Sequence, residues 1–163
     1  MQFTPLKKFA AGAMLLAAST LSHAANSGNL IVNGGGETGV CATDWYAVKT
    51  VPGWQVLLGN PTLVCYSVAS FSTPTSPAAG KAFIADGPYG DSALMQTIDV
   101  SSASSAVDGG GVTYNLSGWL GGYTVYNGQA VVTASFLDAS GNPLGTPGEL
   151  GGVNASARGN AEG

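Results

Sequence analysis

The sequence predicts an all-β chain, and three observations carry that prediction. Short runs rich in Val, Ile, Leu, Tyr and Phe recur along it, parted by clusters of Gly, Pro, Asn and Asp. No stretch beyond the N-terminal segment keeps a helical period. The run VTYNLSGWL over 112–120 alternates between apolar and polar positions, as a half-buried strand does. Strands are expected over 29–33, 54–58, 62–68, 81–85, 93–100, 112–120 and 129–138, and helix only at the N-terminus.

That N-terminal segment reads as an export signal. Lys7 and Lys8 precede an apolar stretch from Phe9 to Leu21, and Ser22-His23-Ala24 places small residues at the two positions a signal peptidase reads. The expected division is a signal peptide over 1–24 and one domain over 25–163. The signal is too short to span a membrane, and no later segment is long and apolar enough. The product is expected to be secreted or extracellular, with a periplasmic location the other choice.

Cleavage removes Lys7, Lys8 and His23. Lys49, Lys81 and Arg158 then face nine carboxylates, a net charge of −6. Such a surface does not attract phosphate backbones, which argues against a nucleic-acid partner. The mature chain has no histidine, which excludes Ser-His-Asp and Cys-His catalysis and His-ligated zinc. Its even pair of cysteines, Cys41 and Cys65, predicts a disulfide in an exported protein; the other reading is two buried thiols.

The elements follow in order. NLIVNGGGETG at 29–39 is an opening strand, a flexible glycine run and a lone carboxylate, Glu37. Trp54 begins the next strand and is expected in the core. Ser/Pro/Ala-rich residues 70–80 and SSASSAVDGGG at 101–111 read as loops. In 93–100, Leu94, Ile98 and Val100 share a face with Gln96, whose amide needs backbone partners if buried. In 112–120, Val112, Tyr114, Leu116 and Leu120 form the core face, whereas Thr113, Asn115, Ser117 and Trp119 form the other. DASGNPLG at 138–145 has the residues of a chain reversal: Asp138, Gly141, Asn142 and Pro143. TPGELGGVNASARGNAEG after Leu144 carries no convincing strand pattern.

Taken in order, NLIVNGGGETG, PGWQV, GDSALMQTIDV, GVTYNLSGWLGGY and AVVTASFLDASGNPLG resemble the galactose-binding-like jelly rolls. The nearest likeness is to secreted carbohydrate-binding modules of the xylan- and glucan-binding kind, and it covers roughly residues 29–145. The resemblance implies a jelly-roll β-sandwich and a non-catalytic role. It also implies a structural calcium, with Glu37 as the matching ligand; the plain alternative is a solvated loop carboxylate. The strands that should follow Leu144, with the second calcium carboxylate, are not visible. The domain is therefore expected to be incomplete at its C-terminal end, calcium binding weak or absent, and an open sheet edge available for self-association.

Function is read from three sides. A polysaccharide or cell-surface glycan is the expected ligand, with Trp119 as a stacking platform, Asn115 and Ser117 as polar neighbours, and Tyr123 and Tyr126 beyond it. Trp45 and Tyr46 with Asp44 form a second aromatic cluster, and Tyr89 a third. If another layer covers the Trp119 face, that residue belongs to the core instead. A structural or adhesive exported domain is the alternative. An enzyme is not expected: Asp86 and Asp91 are the best carboxylate pair, but they sit in a Gly/Pro turn with no evident element to raise the pKa of one, and no nucleophile has a recognisable base.

Overall fold

The computed structural model describes residues 28–68, 80–110 and 112–160. The expected signal peptide and most of the 70–80 loop lie outside them. The regular elements of the described chain are mostly strands: β1 (Gln55–Leu58), β2 (Thr62–Cys65), β3 (Ala82–Ala85), β4 (Ala93–Met95), β5 (Val131–Leu137) and β6 (Pro143–Gly151). They pair as three antiparallel ladders, β1 with β4, β2 with β3 and β5 with β6. The all-β reading holds at this level.

β2 is the centre of the core. All four of its residues, TLVC, are buried, because the strand is covered on both faces and along both edges. On one edge β3 pairs residue for residue, from Thr62 opposite Ala85 to Cys65 opposite Ala82. On the other, Ala42 donates its N–H to Leu63 O at 2.7 Å and accepts from Cys65 N–H at 2.9 Å. The Cys41–Cys65 disulfide closes this same edge, with the Cα atoms 5.1 Å apart. The buried Thr62 hydroxyl accepts from Lys49 N–H at 2.7 Å and donates to Ala47 O at 3.1 Å, so the loop before β1 is tied to β2 as well.

The expected strand over 29–33 is not a strand. Residues 32–35 form a turn. Val32 is held instead by a side chain: its N–H donates to Gln96 Oε1 at 3.1 Å, and Gln96 Nε2 donates back to Val32 O. One glutamine amide thus takes the place of a ladder pair. For the same reason β4 ends at Met95, five residues before the expected end of its strand: Gln96 spends its side chain where a continued strand would spend backbone.

Three further expectations are corrected. The 112–120 segment is irregular and lies against the β5–β6 hairpin through side chains. The Tyr114 ring meets Phe136 edge-on at 4.8 Å, and Gly148 leaves the space its hydroxyl fills. Val112 and Tyr114 are exposed rather than core. Helix is not confined to the N-terminus: a 3₁₀ turn at Ser101–Ala103 leads into α1 (Ser104–Asp108), started by Ser101 N–H donating to Asp99 Oδ1 at 2.8 Å. Finally, a strand does follow Leu144's turn. β6 runs nine residues despite two prolines and three glycines, because β5 supplies a ready template.

The β5–β6 reversal uses the residues expected of it. Asp138 N–H donates to Asn142 O at 2.9 Å, and Asp138 Oδ1 accepts from Ser140 and Asn142 N–H, both at 2.8 Å. Asn142 Nδ2 donates to Asp138 Oδ2 at 3.0 Å. The Asn142 side chain first, and then the loop amides, hold the Asp138 carboxyl below the usual carboxylate range.

The disulfide closes a loop of sequence separation 24. Its reduction, or the pair Cys41→Ser with Cys65→Ser, is expected to cost roughly 3 kcal/mol, read from urea unfolding with and without reductant. Unchanged midpoints would show that the Ala42 bridge alone holds this edge. The lowered Asp138 carboxyl adds stability that is present above the ordinary Asp value of about 3.9 and is lost as pH falls through its folded value. Asp138→Asn is therefore expected to be less stable than wild type at pH 7 and closer to it at pH 3; a gap independent of pH overturns the assignment.

Candidate functional site

The NGGGETG turn is built around Asn33. The residue adopts a left-handed backbone, φ 52°, which asparagine tolerates better than most side chains. Its Nδ2 donates to Thr38 O at 3.1 Å and Pro52 O at 2.9 Å, and its Oδ1 accepts from Thr38 N–H at 2.8 Å. Its carbonyl accepts from Gly36 N–H at 3.1 Å and from the Trp54 indole at 3.3 Å. Trp54, expected in the core, is half-buried beside this turn. Gly36 has φ 72° and packs on Leu63; a Cβ there would stand 3.0 Å from Leu63 Cδ2. The flexible glycines thus let the turn press against the buried strand.

The same turn delivers Glu37 to the start of β3. Its Oε2 accepts Lys81 N–H at 2.9 Å, and its Oε1 accepts Lys81 and Ala82 N–H at 3.1 and 3.3 Å. The carboxylate fills the space in which a Cβ of Gly80 would lie. The groups facing it are backbone donors, which stabilise an anion directly. A calcium ion would need six to eight oxygens. Among the described residues, no three His, Cys, Asp or Glu side chains gather around one point.

The aromatic residues separate into distinct places. Trp119 is 78% exposed, and Asn115 and Ser117 are exposed on the same irregular segment. Tyr123 and Tyr126 come together at the next turn. Tyr126 N–H donates to Tyr123 O at 3.0 Å, and the two rings lie 5.9 Å apart, tilted by 31°. Tyr126 is 67% exposed and Tyr123 38%. Between them Thr124 takes φ 41°, a strained conformation for a β-branched residue.

Sequence reasoning missed the residue that sits under this turn. Arg158 donates through Nη2 to Thr124 O at 3.3 Å and Tyr126 O at 3.1 Å, and through Nη1 to Val153 O at 2.9 Å. The guanidinium lies against Gly122, where a Cβ would come within 2.6 Å of it. A capped turn aims Arg158 there. Asn154 Oδ1 accepts Ala157 N–H at 2.9 Å and Asn154 O accepts Arg158 N–H at 3.1 Å, while Asn160, at φ 58°, closes the turn on Ala155 O. The available signal was compositional: Arg158 is the only arginine in the chain.

The other clusters have local roles. Asp44 Oδ1 accepts Tyr46 and Ala47 N–H, both at 2.9 Å, an Asx turn that leaves Tyr46 exposed. Tyr89 is exposed on the 86–91 turn. Burial, with Asp91 nearby as a smaller cause, pushes the Asp86 carboxyl up from its ordinary range. That burial acts on Asp86 in a way the sequence did not disclose. Comparison with known protein families, curated proteins and solved structures gave no match.

Glu37→Gln is expected to cost about 1 kcal/mol, since an exposed amide replaces one charged acceptor of the Lys81 and Ala82 amides by a donor. Gly80→Ala should disturb the same contact, and the two losses should not add. Urea unfolding of both single variants and the double variant reads this; additive losses would show that the two residues act separately.

Proposed function

We propose that this chain is an exported, non-catalytic glycan-binding domain, and that its binding surface is the aromatic run from Asn115 to Tyr126. The observation that carries this reading is the pair Tyr123 and Tyr126, held side by side and open to solvent close in sequence to the exposed Trp119. Sugar rings offer apolar CH faces that stack on such surfaces, and Asn115, Ser117 and Asn127 lie among the aromatics as hydroxyl partners. The jelly-roll likeness of the sequence points the same way. The disulfide suits an oxidising compartment. No helix among the described residues is long and apolar enough to cross a membrane.

The open ladder edges favour a second reading, a structural or adhesive domain. Among the described residues each ladder has two strands, and β5 presents the uncharged run VVTASFL with one edge outside any ladder. Self-association measured by sedimentation, with no glycan bound, would decide for that reading.

Structural calcium at Glu37 belongs to the first proposal. In this chain it is expected to be weak or absent, and thermal melts of wild type and Glu37→Gln in calcium and in chelator test it: little or no calcium-dependent rise in wild type, and none in the variant, supports this reading, and a large calcium-dependent rise in Tm overturns it.

The decisive experiment is native affinity electrophoresis through gels containing xylan or β-glucan. Wild type is expected to be retarded, and Trp119→Ala to run as in a sugar-free gel with an unchanged urea midpoint. A loss of about 3 kcal/mol or more, as for a buried tryptophan, would place Trp119 in the core and end the proposal.

A further inference from the structure

The turn that carries Tyr123 and Tyr126 does not hold itself. Its one internal backbone bond, Tyr126 N–H to Tyr123 O, spans a Thr124 in a left-handed conformation that threonine disfavours by its branched Cβ. Conformations of this kind persist only where the surroundings over-determine them. Here the surroundings include one side chain. The Arg158 guanidinium takes the carbonyls on both sides of Val125, those of Thr124 and Tyr126, with one nitrogen, and ties them to Val153 with another. Gly122 leaves room for the guanidinium face against the loop backbone. The planar fork of arginine suits this; the single ammonium of lysine does not reproduce it.

We propose that Arg158 is the positioning residue of the glycan-binding loop: it fixes the 122–126 turn so that the Tyr123 and Tyr126 rings are presented as one prearranged stacking surface. This rests on the function proposed above. Prearrangement matters for such a ligand because ordering a loop on binding costs affinity, and a surface ordered beforehand does not bear that cost at the moment of contact. The 153–160 segment thereby acquires a role. Asn154 and Asn160 close its turn, and the turn's purpose is to hold Arg158 beneath the tyrosines. Trp119 lies outside this hold, so the inference separates the two halves of the surface: the tyrosine pair depends on Arg158 and the tryptophan does not.

The test uses Arg158→Gln, Arg158→Lys and, from the opposite side, Gly122→Ala, which keeps the arginine and displaces its guanidinium. Two readouts are taken on the full exported domain. The first is the proton NMR cross-peak between the Tyr123 and Tyr126 rings, with Trp119 indole shifts as the internal control. The second is retardation in xylan and β-glucan gels. The expected result is loss of the ring–ring cross-peak in Arg158→Gln and Gly122→Ala, incomplete recovery in Arg158→Lys, and at least tenfold weaker retardation, with the Trp119 signals unmoved. A cross-peak that survives in both Arg158→Gln and Gly122→Ala overturns the proposal, whatever the gels show. If the cross-peak is lost but wild type is retarded by neither polysaccharide, Arg158 positions the loop and the glycan reading is what fails. If Arg158→Gln fails to fold, Gly122→Ala carries the same comparison.

Discussion

A strand buried on every side sets the terms for the first half of this protein. β2 has four residues and no free surface, so each of its polar groups must find a partner inside the structure. β3 supplies one row of hydrogen bonds, the Cys41–Ala42 segment begins another, and the Thr62 hydroxyl is drawn into the loop that precedes β1. Leu63 then needs close neighbours on both faces. Gly36 and Gly39 meet its two methyl groups, which is why the chain before Cys41 is rich in glycine. The disulfide and the Glu37 anchor flank the same strand, one at Cys65 and the other at the start of β3 opposite it.

Beyond β3, side chains do work that backbone ladders usually do. Gln96 pairs with both polar groups of Val32, Glu37 receives two successive amides of β3's beginning, Asp138 closes the long hairpin, and Arg158 gathers three carbonyls. This follows from composition. A chain with 25 glycines among 163 residues makes many turns whose amides and carbonyls fall outside any strand, and it has few charged or amide side chains to satisfy them. Gln96, Glu37, Asp138 and Arg158 are committed in this way. Trp119 and Tyr126 remain turned to solvent, and the functional reading starts from them.

Local chemistry was legible where one residue type has one strong local use. The Asp138–Pro143 reversal, β2, β3 and the cysteine pair are of this kind, and Gln96 was legible in part, because an amide on an apolar face demands backbone partners. The opening strand and the 112–120 strand were not. The first has a short apolar run and the second the right alternation, but such patterns report only that a run suits a ladder. Val32 found a glutamine side chain, and the 112–120 segment found the face of the β5–β6 hairpin. β6 failed in the opposite direction, since its glycines and prolines argue against a strand that β5 nevertheless templates.

By itself the sequence determined the β character of the chain, its turns, its acidic and histidine-poor chemistry and the aromatic residues available for contact. These depend on residue type and near neighbours. Tertiary structure alone decided that Glu37 faces two amides, that Tyr123 and Tyr126 stand together, and that Arg158, thirty-two residues beyond Tyr126, holds their turn. Each of those facts joins groups distant in the chain or sets a strained turn against a remote partner. No local preference encodes such a pairing, because the same carbonyls and amides would be equally satisfied by water until the fold removes it.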